Sequence, residues 1–119
     1  MEQNKLYSHE QCTRHIAGIE DALYVIGGKW KLRIVIALAS GHTRFNELQR
    51  IIKGISARVL SNELKQLELN GLVKRVVQAD QYPVVTEYIS TEYASTLKEV
   101  IASLADWGQN HKKKIISNG

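Results

Sequence analysis

Arg58, Ser61, Asn62 and Lys65 are the side chains whose types and spacing most clearly suggest a chemistry. They stand at i, i+3, i+4 and i+7, which places them on one face of a helix. Hydroxyl and amide groups can address base edges in a DNA groove, and cations hold phosphates. A solvated face of an ordinary amphipathic helix can look the same, so the surroundings must decide. A second candidate is the single cysteine, Cys12, with Arg14 and His15 beside it. Neighbouring cations favour a reactive thiolate, which would make Cys12 a candidate redox sensor; the plainer reading is an inert thiol. His9, Cys12 and His15 also stand three residues apart. Residue types of this kind bind zinc, but the outer pair is well rotated on a helix and no fourth ligand can be identified, so no metal site is assigned. Enzyme chemistry finds no support. Gly27-Gly28-Lys29 lacks the rest of a phosphate-binding loop, and no carboxylate pair or Ser/His/Asp set has a recognisable context. No cofactor is expected.

The stretch from Gly54 to Leu72 positions the polar face. Ser56 stands where an N-cap belongs, and Asn70-Gly71 marks the far end. Leu60, Leu64 and Leu67, with Ile55 before them, form the buried stripe opposite. Ahead of it, Thr43 is expected to cap a short helix over Arg44 to Ile52, with Phe45, Leu48 and Ile52 inward. The tight Lys53-Gly54-Ile55 connection between two helices is a helix-turn-helix pattern. After Gly71 the period changes to two. Residues 72–77 and 84–89 read as strands around the polar tip Gln78 to Pro83, so the hairpin is a wing whose tip can reach DNA beside the helix.

Upstream, Met1 to Cys12 shows no clear period and is expected to be a loose arm or a partly ordered helix. His15 to Gly27 carries Ile16, Ile19, Leu23 and Ile26 at helical spacing. Lys29 to Ala39 is apolar on most sides, as a central buried helix would be. Downstream, Thr91 is expected to cap a last helix with Leu97, Val100, Ile101, Leu104 and Trp107 as its stripe. That stripe is too long for a small domain to cover, so a second copy is the expected partner. The expected organisation is an arm over 1–14, a domain over 15–114 and a tail over 115–119.

Composition agrees with one domain of 119 residues. The net charge is +4, and it is unevenly placed. Lys29 to Arg75 holds ten Lys/Arg against three Asp/Glu, whereas the rest holds six against nine. A basic centre between slightly acidic flanks suits a polyanion. No apolar run reaches membrane-span length and no signal-peptide pattern opens the chain, which places it in the cytoplasm with no membrane partner.

Several motifs in order carry a resemblance. They are Ile26-Gly27-Gly28-Lys29-Trp30, Arg44-Phe45-Asn46-Glu47-Leu48, Gly54-Ile55-Ser56-Ala57-Arg58-Val59-Leu60, Leu64-x-x-Leu67-Glu68-x-x-Gly71-Leu72-Val73, Thr91-Glu92 and Asp106-Trp107-Gly108. Over about residues 16 to 111 the chain resembles HxlR-type winged-helix regulators, bacterial relatives of the MarR group. The resemblance implies a mainly α fold with a small β-hairpin wing, dimerising through its N- and C-terminal helices. It implies a homodimer that binds double-stranded DNA at a pseudo-palindromic operator, more often as a repressor than as an activator. Carried over by position, the DNA contacts are Arg44, Ser56, Arg58, Ser61, Asn62 and Lys65, with Gln78 and Gln81 from the wing. The dimer contacts fall on Ile16, Ile19, Leu23, Leu97, Val100, Ile101, Leu104 and Trp107. Some members of the family sense oxidants or electrophiles through an N-terminal cysteine, which makes an oxidant or small molecule a candidate effector at Cys12. Two positions depart from the pattern. Thr13 follows Cys12 where a proline is common, and Ala94 stands where glycine is common. The alternative reading is a winged-helix module whose basic face meets an acidic protein.

Overall fold

A computed structural model describes residues 5–118. Five helices and one hairpin follow in order: α1 (His9–Ile26), α2 (Lys31–Ala39), α3 (Phe45–Ile51), α4 (Ala57–Leu69), β1 (Val73–Gln78), β2 (Val85–Ser90), a 3-10 turn (Tyr93–Leu97) and α5 (Lys98–Asn118). The fold is the expected one: helical, with one antiparallel two-stranded wing.

The core lies where α2, α3, α4 and the base of the hairpin meet. Ile34, Leu48, Leu60, Leu64 and Leu67 are fully buried there. Each comes from the apolar stripe of an amphipathic helix, and burial of those stripes supplies the main drive for folding. The turn between α3 and α4 passes through Gly54 at φ +88°, a left-handed conformation that glycine adopts without a Cβ clash.

Local details differ from expectation at three places. First, α1 begins at His9, not near His15. Ser8 accepts from the Gln11 backbone N–H at 3.1 Å, and its own N–H donates to Gln11 Oε1 at 2.8 Å. This reciprocal capping box starts the helix two turns early and carries Cys12 on it. Second, Thr43 does not cap α3. Arg44 occupies the N-cap position without a side-chain bond, because the Thr43 hydroxyl donates to Glu87 Oε2 at 2.9 Å instead. Third, the 3-10 turn intervenes before α5 and has Glu92 at its N-cap without a side-chain bond, so the expected cap, Thr91, stands one residue earlier. Thr91 Oγ1 accepts from the Ala94 N–H at 3.1 Å and donates to the Gly71 carbonyl at 2.7 Å. Ala94 is buried in that turn, so its methyl group packs in the core.

The outer helices project. The principal extents are 70 × 38 × 23 Å and the radius of gyration is 18.2 Å. A compact domain of this length would measure about 13–14 Å. Ile16, Ile19 and Leu23 on α1 are 53–60% exposed, and Leu104 and Trp107 on α5 are 54% and 68% exposed. Among the described residues, no helix is long and apolar enough to cross a membrane.

Candidate nucleic-acid interface

The candidate interface is built on α4. Ser56 caps it, accepting from the Val59 N–H at 3.1 Å. Leu60, Leu64 and Leu67 anchor the inner side. This leaves Arg58, Asn62 and Lys65 exposed and Ser61 half-buried on the outer side. The face read from the sequence is therefore a real face of the structure. Arg44 is exposed at the head of α3.

An ion pair that no local pattern announces joins α4 to α2. Lys31 Nζ lies 2.6 Å from Glu63 Oε2, and Lys31 is only 8% exposed. Glu63 stands about 100° round the helix from Asn62, so the pair ties α4 to the first turn of α2 from beside the polar face. The basic centre continues around the start of α2: Lys29 Nζ sits 4.6 Å and Arg33 Cζ 5.5 Å from the centre of the Trp30 ring.

The wing is braced from behind. Gln78 Nε2 donates to Glu87 Oε1 at 2.7 Å, and Gln81 Nε2 donates to Gln78 Oε1 at 2.6 Å. Both ends of the Gln78 amide are thus engaged within the wing. Gln81 lies further out, next to Tyr82, which is fully exposed. Sequence reasoning passed over Tyr82; its signal was one large ring in an otherwise short and polar tip.

The residues assigned to dimerisation divide into two groups. Ile16, Ile19, Leu23, Val100, Leu104 and Trp107 are exposed, whereas Leu97 and Ile101 are half-buried against the domain's own core. Cys12 is a free, exposed thiol. It stands four residues before Ile16 and shares that stripe. His15 is in edge-to-face contact with Tyr7, their ring centres 4.7 Å apart. Among the described residues, no group of three His, Cys, Asp or Glu is gathered to hold a metal ion.

Comparison with known proteins gives consistent results. The HxlR-like helix-turn-helix model matches residues 25–116. The uncharacterized HTH-type transcriptional regulator YdeP of Bacillus subtilis (strain 168) is 39% identical over 97 residues, covering 82% of this chain and 75% of that protein. The reduced form of the redox regulator HypR superposes with a TM-score of 0.76 at 37% identity, over 84% of this chain and 98% of that one. Quinone-bound YodB from B. subtilis gives a TM-score of 0.66 at 30% identity, over 79% and 98%.

Proposed function

The chain belongs to the HxlR-like helix-turn-helix family, whose members are DNA-binding transcriptional regulators and not enzymes, and on that premise we propose that it is a cytoplasmic repressor acting as a homodimer on a pseudo-palindromic operator. The observation that carries this reading is the outer face of α4. Arg58, Ser61, Asn62 and Lys65 are presented together on a helix whose reverse side is locked into the core. Such a helix fits the major groove, where Asn and Arg can pair with base edges. Ser56 and Arg44 flank it and address the backbone. Gln81 leads the wing contact, with Tyr82 beside it and Gln78 behind.

The exposed stripes of α1 and α5 supply the second copy's contact. In a dimer the two recognition helices would enter successive major grooves roughly 34 Å apart. Leu97 and Ile101 would then couple that contact to the core of each domain.

The effector is an oxidant or electrophile acting at Cys12. The thiol is exposed on the same stripe as Ile16 and Ile19, so its modification would alter the dimer contact. The similarity to HypR, a redox regulator, and to YodB, which has been crystallised with a quinone, supports this choice of effector.

The test is fluorescence anisotropy on the DNA just upstream of the protein's own gene. Scrambled DNA of equal length is the control, at about 50 and 200 mM salt. Preferential binding that survives the higher salt is the expected result. Equal binding to both DNAs that vanishes with salt would remove the operator reading and favour an acidic protein partner for the basic face.

A further inference from the structure

A narrow cleft of about 380 Å³ separates α4 from the hairpin. Its walls are Ser61, Leu64, Lys65 and Glu68 from the helix and Arg75 and Tyr88 from the sheet. Arg75 and Tyr88 are direct cross-strand partners, so they present their side chains on one face of the hairpin, the face turned toward α4. Tyr88 is half-buried against the core, which fixes its ring at the floor. Arg75 and Lys65 are both exposed. The two ion pairs found among the described residues, Lys31–Glu63 and His42–Glu47, involve neither of them. Glu68 is the single carboxylate on the walls, so the cleft carries a net positive charge.

We propose that this cleft is the seat of one phosphodiester strand of duplex DNA, held by Arg75 and Lys65 with the hydroxyls of Tyr88 and Ser61. The inference rests on the operator-binding reading of α4 and adds Arg75 and Tyr88 to it. The geometry follows from the duplex itself. A helix in the major groove and a wing beside the adjacent minor groove lie on opposite sides of one sugar–phosphate strand, because such a strand separates the two grooves. That strand must pass between the two elements, and this cleft is the space between them. Its chemistry fits: guanidinium and ammonium groups neutralise phosphate, and hydroxyl donors complete the set. No base edge reaches a slot of this kind, so the contact sets register and affinity and does not read sequence.

The experiment measures anisotropy for wild type, Arg75→Ala, Arg75→Lys and Tyr88→Phe, on the upstream and scrambled duplexes, across a salt series. Arg75 is exposed and Tyr88→Phe keeps the ring, so both variants should fold, and circular dichroism checks this. Expected for Arg75→Ala is a loss of affinity by the same factor, about tenfold, on both DNAs, with the slope of log K against log salt reduced by about 0.9. Arg75→Lys should keep the wild-type slope, and Tyr88→Phe should weaken both DNAs by a smaller common factor. Wild-type affinity and slope in folded Arg75→Ala would overturn the proposal. So would a loss confined to the upstream sequence, which would make Arg75 a base reader. Calorimetry with inorganic phosphate at fixed ionic strength covers the remaining source: phosphate binding that Arg75→Ala abolishes, with the DNA slope unchanged, would make the cleft a small-anion site and refute the strand assignment. If wild type itself fails to prefer the upstream duplex, the operator reading fails separately, while the common slope change still tests the cleft.

Discussion

Glu87 Oε2 accepts a hydrogen bond from Thr43 Oγ1 at 2.9 Å, joining the second strand of the wing to the residue before the N-cap of α3. The Tyr88 N–H also donates to the Thr43 carbonyl at 2.8 Å, so one residue holds the hairpin through both its backbone and its side chain. Glu87 meanwhile holds Gln78, and Gln78 holds Gln81. A line of bonds therefore runs from the head of the helix-turn-helix to the tip of the wing. The angle of the wing relative to α4 is set by this line and by the core under Val73.

Glu87→Ala should loosen that angle. Two donors, Thr43 Oγ1 and Gln78 Nε2, lose a charged acceptor, which costs about 1.5–3 kcal/mol. Urea unfolding should show the loss, and binding to DNA should weaken further than stability alone explains. Thr43→Val should cost less, about 1 kcal/mol. An unchanged unfolding midpoint in Glu87→Ala would show that the bonds are replaced by water at no cost.

Lys31→Ala or Glu63→Ala leaves a mostly buried charge without its partner. Breaking such a pair costs about 3–5 kcal/mol, and the partial exposure of Glu63 argues for the lower end. The double change Lys31→Met with Glu63→Leu should recover most of that stability, since it removes both charges. Comparing the three unfolding curves with wild type checks both statements.

Arg58→Ala should weaken operator binding by about 1–3 kcal/mol and reduce discrimination against scrambled DNA. Its side chain is exposed, so the melting temperature should hold. Equal affinity of variant and wild type for the operator would move the reading face elsewhere on the helix.

Leu104→Asp and Trp107→Asp each place a charge in the exposed stripe of α5. If the proposed dimer is right, wild type sediments as a dimer in analytical ultracentrifugation and both variants sediment as monomers at the same concentration. A fully dimeric variant would exclude this face as the interface.

Cys12→Ser should bind DNA as wild type does but lose its response to diamide. Anisotropy with and without diamide separates the two. A normal response in the variant would dispose of Cys12 as the sensor, since the chain has no other cysteine.

The sequence was most legible where local pattern and tertiary role coincide. Leu60, Leu64 and Leu67 repeat at helical spacing, are bounded by Ser56 and Asn70-Gly71, and are buried as a stripe should be. The hairpin is legible from composition, since two runs rich in β-branched residues, 72–77 and 84–89, flank a polar tip. Thr43 departs from its expected capping role because its hydroxyl has two possible partners. The local one is visible in sequence, and the one that wins is 44 residues away. Lys31 and Glu63 are 32 residues apart and individually look like surface charges. Arg75 and Tyr88 share that difficulty, because only strand register brings them together. The Ser8–Gln11 box was different. Its signal is local, since Ser8 and Gln11 stand three residues apart at the spacing of a capping box.

The 70 Å length of so small a chain has a consequence for how the protein behaves in a cell. Its outer helices carry apolar surface that the domain itself does not cover. In the proposed dimer, part of the folding energy would arise only when two chains meet. Its melting temperature would then rise with protein concentration, as it does for any linked association. The number of copies made would set two quantities together: how fully the operator is occupied and how much of the regulator is folded at all. A small change in dosage would be felt twice, so the gene could switch more sharply than one binding step allows.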